Sequence, residues 1–263
     1  MLLLICMAGF GTYYVYDIPS SVGMDISSAL NITTTKLNTI FYSYYAMPSS
    51  FSACFGGYVV DRYLGLKNAG ILFSSLVFIS QFIISFGIKW QSVALIALGR
   101  IVTGVCNEPM GVVRSTYTAK YFDRAIFMGL VLAVSRAGSA GGFNVSPQIL
   151  CSFSPSSLSC ISAAERHHYR VLNGTDGSDY FIPDENMDIV LNALFWTFVV
   201  GAGASGLAVT AATSLGFIDE KLEKQRLARG GEMRKKKSPP NLNDVMKLPA
   251  VVWTIILIFI FNF

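Results

Sequence analysis

The chain has 263 residues, of which 52% are apolar and 14% charged, with a mean hydropathy of +0.51 and a formal net charge of +4. Soluble domains average about 25% charged residues, so this composition excludes one large soluble core and describes a membrane protein. Bilayer-spanning helices need about 20 predominantly apolar residues. Such stretches occur at roughly 1–22, 38–60, 68–88, 92–119, 125–150 and 187–217, and a seventh begins near Leu248. Uninterrupted segments of this length exclude the alternating pattern of a membrane β-barrel. The expected fold class is all-α and polytopic: a six-helix transmembrane bundle over 1–217, a basic cytosolic linker over 218–247, and the truncated start of a seventh helix over 248–263.

In chain order, the first segment, MLLLICMAGFGTYYVYDIPSSV, has no basic region before its apolar run. That excludes a signal peptide and leads us to expect that Met1 is not the natural start. Asp17, near the far end, reads either as a hydrated helix-end residue or as part of a polar path. The second segment carries Tyr42, Tyr44, Tyr45 and the helix breaker Pro48. Tyrosines commonly form interfacial belts, which suits Tyr42 above all; Tyr44 and Tyr45 are candidates to meet a substrate. The stretch GGYVVDRYLGLK then sets out Gly57, Asp61, Arg62, Gly65 and Lys67 as a candidate gate. Glycine lets two helix ends approach, and the carboxylate can cap or pair with basic groups. An ordinary loop can carry the same Asp-Arg and turn glycine.

The fourth segment, LGRIVTGVCNEPMGVVRSTYTAKYF, holds Arg100, Glu108 and Arg114, and the fifth, FMGLVLAVSRAGSAGGF, holds Arg136. A charge near the midplane costs at least ~2.5–3.5 kcal/mol, so each must face a protein interior or a wet cavity. At 100° per residue, Arg100, Gly104, Asn107, Glu108, Gly111 and Arg114 fall within an arc of about 120°, one polar face. Each charge alone has a plainer reading as half of a structural pair. Glu108, in mid-span, needs a partner or a proton, and Arg136 is the obvious partner. One fixed cation and one fixed anion would suit the carboxylate and amine of a small zwitterion. The substrate-binding candidates are therefore Glu108, Arg136, Arg100, Asn107, Tyr44 and Tyr45.

Orientation follows from the basic residues. With the first helix leaving the cytosol, thirteen of them fall on the inner side (Arg62, Lys67, Lys120, Arg124 and nine between Lys221 and Lys247) against four on the outer (Lys36, Lys89, Arg166, Arg170). Two glycosylation sequons, at Asn31 and Asn173, fall on that outer side, while a third at Asn144 lies within the fifth helix and should be unusable. Cys151 and Cys160 in the long outer loop either close a disulfide or remain free thiols. Cys6, Cys54 and Cys106 read as small apolar residues within spans. The pair His167-His168 reads as solvated, and no Cys, His or Asp spacing marks a metal site. The run Gly138-Ser139-Ala140-Gly141-Gly142 follows no strand, so it reads as close helix packing rather than a nucleotide loop. No cofactor, metal, nucleic-acid partner or enzyme chemistry is expected. The cluster Lys235-Lys236-Lys237 reads as a solvated linker or a contact with anionic lipid.

Two motifs resemble the major facilitator superfamily: Gly57 through Lys67, with one extra residue at Leu64, is similar to the signature between helices 2 and 3, and Arg100 with Gly104 to the pattern on helix 4. The fifth helix lacks the proline of the antiporter signature. Asp17-Ile18-Pro19, Asp61 through Gly65, Gly99-Arg100 through Asn107-Glu108, Thr116-Tyr117 and Ser135 through Ser139 together resemble the domain-containing protein 1 family of that superfamily, the lysosomal dipeptide transporters. The resemblance covers helices 1 to 6 and the start of 7. It implies a major facilitator fold, uniport of dipeptides out of the lysosome by alternating access, and a glycosylated lumenal accessory subunit. Arg114 departs from it, as a charge where a neutral residue is expected, and the turn at Asp123 and Arg124 is short. The other readings are a facilitator for a sugar or organic anion, a non-transporting subunit or receptor, and residence in the plasma membrane. A neutral sugar would not need the charge at Glu108.

Overall fold

A computed structural model describes residues 1–122, 125–155, 157, 160 and 187–229. The described elements are all helical: α1 (Leu2–Ser21), α2 (Gly23–Ala29), α3 (Thr34–Asn38), α4 (Tyr44–Val59), α5 (Gly65–Lys89), α6 (Val93–Tyr121), α7 (Ala125–Phe153) and α8 (Met187–Ala228). Single π-helical turns, Thr39–Ser43 and Val60–Leu64, flank α4. Residues 34–64 thus form one rod broken at both ends. Asn173, His167, His168, Asp123 and Arg124, the linker beyond Arg229 and the seventh segment lie outside the described residues.

Among the described residues, five segments are long and apolar enough to cross a membrane: Leu2–Ser21, Phe55–Lys89, Val93–Tyr121, Ala125–Phe153 and Met187–Ala228. The expected second span, 38–60, is not among them as a separate segment. Its tyrosines, Pro48, Ser49, Ser50 and Ser52 make it too polar for that test, yet it packs along α6 as the sixth rod. Gly65 ends this rod with φ of 70° and an open side, so the backbone conformation, and not crowding, calls for glycine.

The packing has an internal twofold logic. Helix α1 lies along α7 and α8, α6 lies along α4 and α5, and α5 packs on α8. Exchanging α1 with α6, α4 with α7 and α5 with α8 maps this set of neighbours onto itself. The members of each pair stand three rods apart in chain order, as in the 3+3 arrangement found within six-helix transporter halves.

Small residues set the closest crossings. A Cβ at Gly138 or Gly142 of α7 would overlap the carbonyl oxygens of Phe10 and Tyr14 on α1, and one at Gly11 would overlap that of Ala204 on α8. Close backbone approach of this kind replaces the hydrophobic drive that is missing between helices in lipid. Buried hydroxyls add polar contacts, with Ser80 on α5 and Thr103 on α6 sharing a hydrogen bond of 2.8 Å.

Two turns at one end of the bundle have matching chemistry. Asn31 and Gln91, at φ of 50° and 52°, follow α2 and α5 in the left-handed conformation. In each, the next residue's N–H reaches back to a carbonyl, Ile32 to Ser27 at 3.1 Å and Ser92 to Gly87 at 2.8 Å, closing the helix end. The Gln91 amide donates to the Ala29 carbonyl at 3.2 Å and ties the two turns together. The sequon residue Asn31 is exposed there. The sequon at Asn144 sits inside α7, with Ser146 fully buried. At the end of α7, Cys151 and Cys160 are joined as a disulfide, with Cα atoms 5.5 Å apart.

Candidate functional site

The charged face of α6 divides between two neighbours. Its outer part turns toward the 34–64 rod. Arg100 is fully buried, its Nε donates to the Phe41 carbonyl at 2.9 Å, and its guanidinium lies over the rings of Phe41, Tyr45 and Tyr16 at 5.3, 5.5 and 6.0 Å. Phe41 belongs to the first π-helical turn; such turns unseat backbone groups from the regular ladder and leave them open to other donors. The Asn107 amide donates to Tyr45 Oη at 2.7 Å, and the Tyr45 ring packs at a tilt of 58° against that of Tyr16, centroids 4.8 Å apart. Gly104 faces the Tyr45 carbonyl too closely for any side chain. Arg100, Asn107 and Tyr45 therefore form one interhelical cluster, whereas Tyr44 is 41% exposed and stands outside it. Both Nη atoms of Arg100 and Oδ1 of Asn107 are buried without a hydrogen-bond partner.

The inner part of the face opens on a cavity of about 370 Å³ between α1, α6 and α7. Its walls include Tyr13, Glu108, Arg114, Thr118, Val131 and Ser135. Glu108 falls near the middle of α6, and Arg114 stands about 9 Å closer to the C-terminal end of that helix, six residues at 1.5 Å each. Ionised groups at this depth keep their charge by facing a wet cavity or one another.

The structure corrects the expected pairing. Among the described residues, Glu108 makes no ion pair within 4.0 Å with Arg136 or with any other cation. Arg136 is exposed on α7 and lies over the Tyr13 ring at 5.1 Å. The cation lining the cavity with Glu108 is Arg114. It is 8% exposed, lies over the same Tyr13 ring at 5.3 Å and donates from Nη1 to Ser135 Oγ at 3.1 Å. Tyr13 and Ser135 were missed in the sequence. A Tyr in an aromatic-rich first helix has too many ordinary uses, and only the tertiary fold puts its ring under two guanidinium groups.

The gate candidates are likewise redistributed. Close approach falls at Gly56, where a Cβ would stand 2.6 Å from Pro109 Cγ on α6; at Gly57 the nearest atom would be an ordinary 3.9 Å away. Asp61 is exposed and forms no ion pair among the described residues. Arg62 packs over the rings of Tyr58 and Tyr63 at 5.6 and 5.8 Å. Lys67 reaches α8, donating to Glu220 at 2.6 Å and lying over the Phe217 ring at 4.5 Å. Beside it, Lys120 and Tyr121 both donate to Asp219. Helix α8 has 42 residues, about 63 Å at 1.5 Å per residue, roughly twice the ~30 Å hydrocarbon core. Its charged end thus projects past the bilayer and straps α5 and α6 together there.

No family model matches the chain. Over 148 residues, 55% of its length, it is 32% identical to the lysosomal dipeptide transporter MFSD1 of Bos taurus and 32% to that of Homo sapiens. It is 29% identical over the same length to the Danio rerio protein of that name. The match covers 31–32% of these relatives, so the chain spans about a third of their length.

Proposed function

From a chain that has the all-α, polytopic fold of the N-terminal six-helix half of a major facilitator and resembles the lysosomal dipeptide transporters of that superfamily, we propose a membrane transporter of small zwitterions, dipeptides foremost. Transport is by uniport and alternating access, out of the lysosome. The observation that carries this reading is a carboxylate and two guanidinium groups, Glu108, Arg114 and Arg136, gathered around Tyr13 on one face of the bundle at membrane depth. A zwitterion presents a carboxylate for a guanidinium and an ammonium for Glu108.

In this reading Arg136 holds the substrate carboxylate and Glu108 the amine. Arg100, Asn107 and Tyr45 brace the outer half of the path, and Tyr44 lies along its rim. Gly57, Asp61, Arg62, Gly65 and Lys67 act at the cytosolic gate, where the free Asp61 carboxylate is available to an opposing cationic surface. Asn31 and Asn173 carry glycans on the lumenal side, where a glycosylated accessory subunit would dock. The test is uptake by the full-length protein in liposomes, screened over dipeptides, single amino acids and sugars. Saturable dipeptide flux that Glu108→Gln weakens is expected. Flux of a sugar that is indifferent to Glu108→Gln would replace this reading with a sugar facilitator. Absence of flux for every solute, with the protein folded, would leave a subunit or receptor.

A further inference from the structure

We infer that Arg114 is a specificity-determining residue that fits the cavity to an acidic dipeptide, a zwitterion bearing one additional carboxylate. The inference rests on the dipeptide reading above and narrows it. The argument begins with the charge that Arg114 carries. It is nearly buried, yet no carboxylate lies within 4.0 Å of it among the described residues, and its Nε is buried without an acceptor. A guanidinium in such a place is costly unless an anion arrives to meet it.

The surrounding helices hold this side chain in position. Ser135 on α7 accepts from Nη1, Tyr13 on α1 supplies a ring beneath the guanidinium, and Gly9 on α1 makes the room. A Cβ at Gly9 would overlap Ser135 Oγ and stand 2.5 Å from Arg114 Nη1. Three helices thus fix a planar fork at the wall of a cavity, the arrangement that recognises a carboxylate. Glu108 and Arg114 line this cavity with one charge of each sign, and Arg136, over the Tyr13 ring that forms part of its wall, adds a second positive charge beside it. A neutral dipeptide leaves one cation unmatched. A dipeptide with an Asp or Glu side chain, one ammonium and two carboxylates, satisfies all three groups.

The experiment is competitive uptake by the full-length protein in liposomes, with alanyl-glutamate, alanyl-alanine and alanyl-lysine as probes. The unmodified protein should prefer alanyl-glutamate, and this arm needs no variant. In Arg114→Gln the ratio of kcat/KM for alanyl-glutamate over alanyl-alanine should fall by about tenfold, the loss of one charged contact of ~1.4 kcal/mol. Arg114→Lys, which keeps the charge, should restore part of that ratio. Alanyl-alanine flux without preference for alanyl-glutamate, or an Arg114→Gln variant that slows all three probes in proportion, would overturn the inference and leave the dipeptide reading standing. No flux of any dipeptide by folded protein would overturn both.

Discussion

Tyr13 carries Arg114 and Arg136 over one ring, but the two arginines differ in what their loss should cost. Arg136 is exposed, and its ring contact is its one described interaction, so Arg136→Ala should lower stability by less than about 1 kcal/mol. It should nevertheless abolish dipeptide uptake. Thermal unfolding beside a flux assay separates these, and a large fall in melting temperature would assign Arg136 a structural role. The exchange Arg136→Glu with Glu108→Arg should fold and fail to transport, because the two residues form no pair that an exchange could restore. Normal uptake by the exchanged protein would remove both from the binding site.

Helix contacts predict a second set of outcomes. Gly138→Ala and Gly142→Ala would each push a Cβ into a carbonyl of α1, and overpacking of this kind costs about 1–3 kcal/mol. Gly129, on the same helix, faces open space. Gly129→Ala should therefore be neutral or stabilising by up to ~1 kcal/mol, from the lower entropy cost of alanine in a helix. Equal effects at all three positions in thermal unfolding would show that the crossing is not limited by these glycines. Near the charged end of α8, Asp219→Ala leaves Lys120 and Tyr121 without their shared acceptor, a loss of about 1–3 kcal/mol for groups partly shielded from water. The same unfolding measurement checks it, and an unchanged midpoint would mean that the strap between α6 and α8 holds without this carboxylate.

For the whole molecule, the basic-residue asymmetry and the 3+3 pairing of helices predict one topology. Single cysteines placed as Trp90→Cys, between α5 and α6, and Leu227→Cys, near the end of α8, should react with a membrane-impermeant maleimide from opposite faces. Both residues are exposed, so access is decided by the side of the membrane. Labelling of both from the same face would sink the six-crossing arrangement. The cavity face, with exposed Arg136 beside it, lies on the side of α1, α6 and α7. A charge so placed cannot rest against lipid tails without a large penalty, so a second wall is required there. Residues 1–263 expressed alone should therefore give no saturable dipeptide flux in liposomes, and flux from that polypeptide would show that paired copies supply the wall.

The sequence by itself determined the class of fold, because a helix in lipid must satisfy its own backbone and bury or expose about 20 residues as a unit. Length and hydropathy mark α1, α5, α6, α7 and α8 directly, and the run from Gly138 to Gly142 marks a close crossing without naming its partner. It also showed that Arg100, Glu108, Arg114 and Arg136 require special surroundings. Which of them meet was a tertiary decision. Helical periodicity put the α6 charges on one arc, but that arc of about 120° is wide enough to face two neighbours. The 34–64 rod takes Arg100 and Asn107, while α1 and α7 take Glu108 and Arg114. Pairing Glu108 with Arg136 is what one anion and one cation on successive helices predict. Distance and direction between helices are set by which small residues let them approach, and Gly9, against Ser135 and Arg114, brings the guanidinium of Arg114 to the cavity wall instead.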